Sequence, residues 1–108
     1  MVIDMCVHPG FIEEICSDEQ RIAFRREHFG LYKQHVWPLK LFLKQLDAAG
    51  IDKAVIIPED LATRCGGQII TNEEVKNLID LAPERMIGFA SVDPYREDAA
   101  QVLLVLDW

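Results

Sequence analysis

The sequence predicts an α/β fold: the first three βα units of a TIM (β/α)8 barrel, with parallel strands. Two observations lead there. Apolar strand and amphipathic helix alternate three times, an order that makes a parallel sheet with right-handed crossovers. The strands begin near residues 2, 53 and 86. Eight units at the last spacing, about 33 residues, make a chain of roughly 250 residues, the size of such a barrel. The 108 residues hold three units, so the expectation is one partial barrel domain over residues 1–108, truncated after the third unit.

The first strand is Val2 to Val7, broken by Pro9-Gly10. A long connection over residues 10–37 follows. Ser17-Asp18-Glu19-Gln20 has the form of a capping box with Ser17 as the cap. The helix it opens, through Arg26, carries Arg21, Arg25, Arg26 and Glu27 and few apolar positions, and reads as a surface helix or lid. Pro38 suits the first turn of the next helix, whose apolar face is Leu39, Phe42, Leu43, Leu46 and Ala49, with Gly50 as its stop. The second strand, Lys53 to Ile57, is apolar without alternation, as a strand covered on both faces should be.

Residues 59–70 read as a loop containing Gly66-Gly67. Thr71-Asn72-Glu73-Glu74 is a second capping box. It opens a helix with Val75, Leu78, Ile79 and Ala82 inward, and Pro83 ends it. The third strand is Met86 to Val92. Asp93-Pro94 supplies an N-cap and a first-turn proline for a helix with Ala99, Val102, Leu103 and Leu106 inward.

Charge and composition remove several function classes. A net charge of −7 disfavours nucleic acid, whose phosphates need Lys and Arg, and anionic membrane surfaces. No run approaches the ~20 apolar residues of a membrane span, and no signal-like segment opens the chain, so the expected location is cytoplasmic. Cys6, Cys16 and Cys65 are odd in number and form no CxxC pair, which predicts reduced thiols. No GxGxxG follows a strand and no GxxxxGK occurs, so nucleotide binding has no support.

Asp4, Cys6 and His8 stand at a spacing of two on the first strand, which places all three on one face. Cys6 and His8 then have two readings. Thiolate sulfur and imidazole nitrogen are both zinc ligands, although catalytic zinc usually takes three protein ligands. Equally, a buried thiol can lie beside a histidine that hydrogen-bonds at the strand end. His28 and His35, in a connection that would lie over a barrel mouth and could touch a substrate, read as solvated; Glu59 and Asp60 follow the second strand's C-terminal end, where catalytic groups can sit, but read as capping or loop residues. Gly66-Gly67-Gln68 matches the tripeptide of peptide-release factors, but the acidic chain does not suit a ribosomal partner. Leu103, Leu104, Val105 and Trp108 read as a barrel helix facing its strand rather than a partner-binding helix.

Three stretches carry a resemblance. Ile3-Asp4-Met5-Cys6-Val7-His8-Pro9 is similar to the first-strand pattern Ile-Asp-x-His-x-His of the amidohydrolase superfamily, in its second family. That family contains aminocarboxymuconate-semialdehyde decarboxylase and related metal-dependent hydrolases. Residues 46–56 resemble its first helix running into the second strand, and residues 85–94 its third strand. The resemblance implies a barrel enzyme, a hydrolase or decarboxylase of small molecules, with a divalent metal, usually zinc, at the barrel mouth. It implies that His8 is the second first-strand ligand, that Cys6 stands where the first histidine should be, and that Asp4 supports the site. The family's other ligands, two histidines and an aspartate, come from its fifth, sixth and eighth strands. No residue of this chain is assigned a catalytic role. The alternative is an inactive fragment that only folds, or forms homo-oligomers through the exposed sheet edge.

Overall fold

The computed structural model describes residues 1–106; Trp108 lies outside them. In chain order the elements are β1 (Ile3–Val7), α1 (Glu19–Phe29), α2 (Leu39–Ala48), β2 (Lys53–Ile56), β3 (Asp60–Leu61), α3 (Ala62–Cys65), β4 (Gly67–Gln68), α4 (Asn72–Leu81), β5 (Met86–Gly88) and α5 (Ala99–Leu104). β1, β2 and β5 form one sheet in that order, all parallel. The strand–helix alternation thus gives the expected parallel sheet. Among the described residues no helix is long and apolar enough to cross a membrane.

The core lies on one side of this sheet. Ala54 and Ile56 of β2 and Met86 of β5 pack with Leu39 and Leu46 of α2 and Val75 and Leu78 of α4. The helical stripes expected on α2 and α4 therefore bury as the 3.6-residue period requires, except that Ala49, expected inward, is the exposed C-cap of α2. Val55 points the other way and is buried, whereas Ile87, its neighbour on β5, is exposed. β1 is one of the two edge strands, and its Ile3 and Met5, with Val2 just before them, are exposed. The first strand therefore does not bury an apolar face as its composition suggests.

Local chemistry explains most element ends. Thr71 and Glu74 form the expected capping box, the Thr71 hydroxyl accepting from Glu74 N at 3.1 Å and Glu74 Oε1 accepting from Thr71 N at 3.2 Å. Gly50 follows α2 with a left-handed φ of 70°, the conformation glycine takes without penalty. Pro38 sits at the N-cap, one residue before the first turn. Proline has no capping side chain, and Glu14 supplies the acceptor in its place, 2.9 and 3.1 Å from Leu39 N.

Several expectations are corrected. Asp18, not Ser17, caps α1: its Oδ1 accepts from Gln20 N at 2.9 Å and Arg21 N at 3.3 Å. A carboxylate caps as well as a hydroxyl, and the helix starts one residue later. Nor is α1 a free surface helix, because Ile22 and Arg25 are both buried. Residues 59–70 are not an open loop: β3 and β4 pair antiparallel around α3, and Ile69 and Ile70 have no exposed surface. Ile70 adopts a φ of 84°, a strained conformation for a β-branched residue. β5 is shorter than Met86 to Val92. Asp93 does not cap the helix that follows it; it closes the turn at Tyr95 and accepts from Thr63 N, in the first turn of α3, at 2.8 Å. α5 begins only at Ala99, and its Leu103 is exposed rather than inward.

Candidate functional site

β1 delivers His8 to the C-terminal end of the sheet, where parallel α/β folds gather functional groups. Pro9 and Gly10 then turn the chain away, with Gly10 N donating to His8 O at 2.9 Å. The ring is anchored by one bond: His8 Nδ1 donates to the Ile57 carbonyl at 2.7 Å. A carbonyl only accepts, so Nδ1 carries a proton, and in the neutral ring Nε2 keeps its lone pair free.

Nε2 faces two groups. Cys6 Sγ lies 3.5 Å away, and Glu59 Oε1, just beyond the end of β2, also lies 3.5 Å away. His8 is about three-quarters buried, while Cys6 is exposed. Asp4 is engaged elsewhere. The β1–β2 register shifts between Asp4 and Val7, so that Asp4 opposes Ala54 and Val7 opposes Ile56. Three steps on β1 thus match two on β2, and the alternation that placed Asp4, Cys6 and His8 on one face is interrupted. Asp4 Oδ1 instead accepts from Cys6 N at 3.1 Å.

The structure therefore joins Cys6 to His8 and adds Glu59, which reads from sequence as a loop carboxylate. Its position directly after an apolar strand was the signal for it. Asp60 keeps the capping role, accepting from Ala62 N at 3.2 Å, and pairs with Arg96 at 2.9 Å. His28 stacks on Phe24 and His35 lies edge-on to Trp37; neither reaches the His8 cluster. Cys16 is core and Cys65 is exposed. Among the described residues no three or more His, Cys, Asp or Glu side chains are grouped to hold a metal ion.

A cleft borders this cluster: about 450 Å3 in volume and walled by Phe11, Trp37, Leu41, Phe42 and Lys44, it has His8 at its margin. Beyond β5, the Asp93 carboxyl is held below the usual carboxylate range by its bonds to Thr63 and Tyr95, and Asp98 is lowered by Arg96. Gly67 has a packing cause: a Cβ there would come within 2.8 Å of the Phe24 ring, which accounts for the glycine in the Gly66-Gly67-Gln68 tripeptide.

Comparison of the chain with models of protein families, with curated proteins and with solved structures finds no match.

Proposed function

We propose that the chain is the N-terminal part of a metal-dependent hydrolase or decarboxylase of the amidohydrolase superfamily, acting on a small molecule at the mouth of a (β/α)8 barrel. One observation carries this reading. The His8 ring is fixed through Nδ1 on a backbone carbonyl, with Nε2 directed at a thiol and a carboxylate. Metal-binding histidines are held this way, the second ring nitrogen donating to a carbonyl or carboxylate.

The donors suit zinc in kind. With Zn–N near 2.0–2.1 Å and Zn–S near 2.3 Å, two ligands on one tetrahedral ion stand about 3.5 Å apart, which is the separation of His8 Nε2 and Cys6 Sγ. In number they fall short, so His8 and Cys6 would be part of a ligand set, with Glu59 beside them. A bound zinc ion lowers the pKa of its water and polarises a carbonyl or carboxylate. The chain's own part is to hold the His8 ring in one orientation and to keep Nε2 free. Three unpaired thiols suit a reducing compartment, and we assign the chain to the cytoplasm.

The test is metal content. Purified protein should take up close to one zinc ion per chain, and His8→Ala should abolish it. Zinc-free protein that also fails to bind added zinc would end this reading.

A second reading has its own observation. β1 leaves one strand edge unpaired, with Val2, Ile3 and Met5 exposed along it. Such edges pair with other copies, so an inactive chain that self-associates through β1 is the alternative. Sedimentation showing a stable monomer at high concentration removes it.

A further inference from the structure

Arg25 is the largest side chain with no exposed surface among the described residues. Its guanidinium grips the Glu74 carboxylate with two bonds, Nη1 to Oε2 at 2.8 Å and Nη2 to Oε1 at 2.6 Å. Two more bonds leave the pair. Nη1 donates to Gly10 O at 3.1 Å, and Nε donates to Gln68 O at 3.3 Å.

Each of those carbonyls lies on an arm that carries one member of the candidate site. Gly10 closes the turn that begins at His8, through its own N–H on His8 O. The stem of Arg25 lies against that turn, for a Cβ on Gly10 would come within 3.1 Å of Arg25 Cδ. Gln68 precedes Ile69, whose N–H donates to Glu59 O at 2.9 Å. One buried guanidinium thus ties the arm bearing His8 to the arm bearing Glu59.

We propose that Arg25, held by Glu74, is the positioning residue that sets His8 and Glu59 against one another. Its effect on metal binding rests on the reading of His8 as a ligand; its effect on the ring itself does not. Stability alone is a poor reason for such a pair, because the cost of desolvating two charges offsets much of their attraction. An apolar pair could fill the same space. It could not make directed bonds to two backbone carbonyls.

The experiment uses Arg25→Lys and the double variant Arg25→Met with Glu74→Gln. The first keeps a charge pair but loses the planar fork. The second leaves no unpaired buried charge and keeps an acceptor for Thr71 N. Circular dichroism and thermal melting identify which of the two fold. The 15N shifts of the His8 ring, read where the ring is neutral, report which nitrogen holds the proton. Wild type should show the Nδ1-protonated form alone; the folded variants should show a mixture, and zinc affinity should fall about 10–100-fold, the usual effect of disturbing a group that orients a ligand. A folded variant with a lower melting temperature and unchanged His8 ring shifts overturns the proposal. If wild type binds no zinc, the metal reading fails and the ring shifts alone decide the role of Arg25.

Discussion

The α1–α4 contact and β1 are held by opposite means. In the first, α1, the β3–β4 hairpin and α4 converge on Arg25 and Glu74, which are buried and whose polar atoms are satisfied. In the second, β1 has a neighbour on one edge only, and four of its five residues are exposed along their length. The charged helix is therefore the locked region and the apolar strand the open one, the reverse of what composition alone suggests. Residue type sets the cost of burial; the partners available set whether burial happens.

The sharpest way to break this contrast is Arg25→Ala. It leaves the buried Glu74 carboxylate only the half-exposed Arg21, at 3.8 Å, and breaking one side of such a pair costs about 3–5 kcal/mol. Against the 5–15 kcal/mol that holds a typical domain folded, that is a large share. Urea unfolding should show the midpoint fall steeply, and by much less for Lys76→Ala, whose pair with Asp80 is exposed and worth little.

Gly67→Ala tests the packing of the same region with no change of charge. The new methyl would meet three Phe24 ring atoms at 2.8 Å, so either α1 or the hairpin must shift. Overpacking of this kind costs about 1–3 kcal/mol. Combining Gly67→Ala with Phe24→Leu should recover part of the loss in thermal melts; no recovery would mean that the hairpin itself rejects the methyl.

How much of this could be read in advance divides along the same line. The parallel order of the strands, the α2 stripe and the Thr71–Glu74 box were legible because each is encoded within a few residues. Arg25 was not. In a helix with four other charges it reads as solvated, and its partner stands 49 residues away, already accounted for by its capping role. Glu59 hid for a related reason: its place after a strand end marks it as a candidate, but that place alone does not separate a loop carboxylate from one aimed at His8. The interruption between Asp4 and Val7 has no signature in Ile3-Asp4-Met5-Cys6-Val7, so strict alternation could not foresee that Asp4 is taken up by Cys6 N. Ile70 at a φ of 84° is a position where local preference points to glycine or asparagine. The demand for a buried apolar side chain beside the Thr71 cap overrides it.

The smallest expected effect comes from the open side. Met5 is 64% exposed and lies at the centre of the unpaired β1 edge, so Met5→Lys removes little buried area. Its cost to folding should stay within about 0.5 kcal/mol, as for surface changes generally. Association is another matter. Charged side chains, lysine above all, are how sheet edges are kept from pairing, and two lysines brought together at a shared edge repel. Sedimentation of Met5→Lys beside wild type separates the two quantities. If wild type self-associates and the variant does not, at equal stability, then β1 is the surface that copies share. Equal association in both would move the interface off β1, and the strand would be left as an edge that this acidic chain keeps unpaired by its net charge of −7.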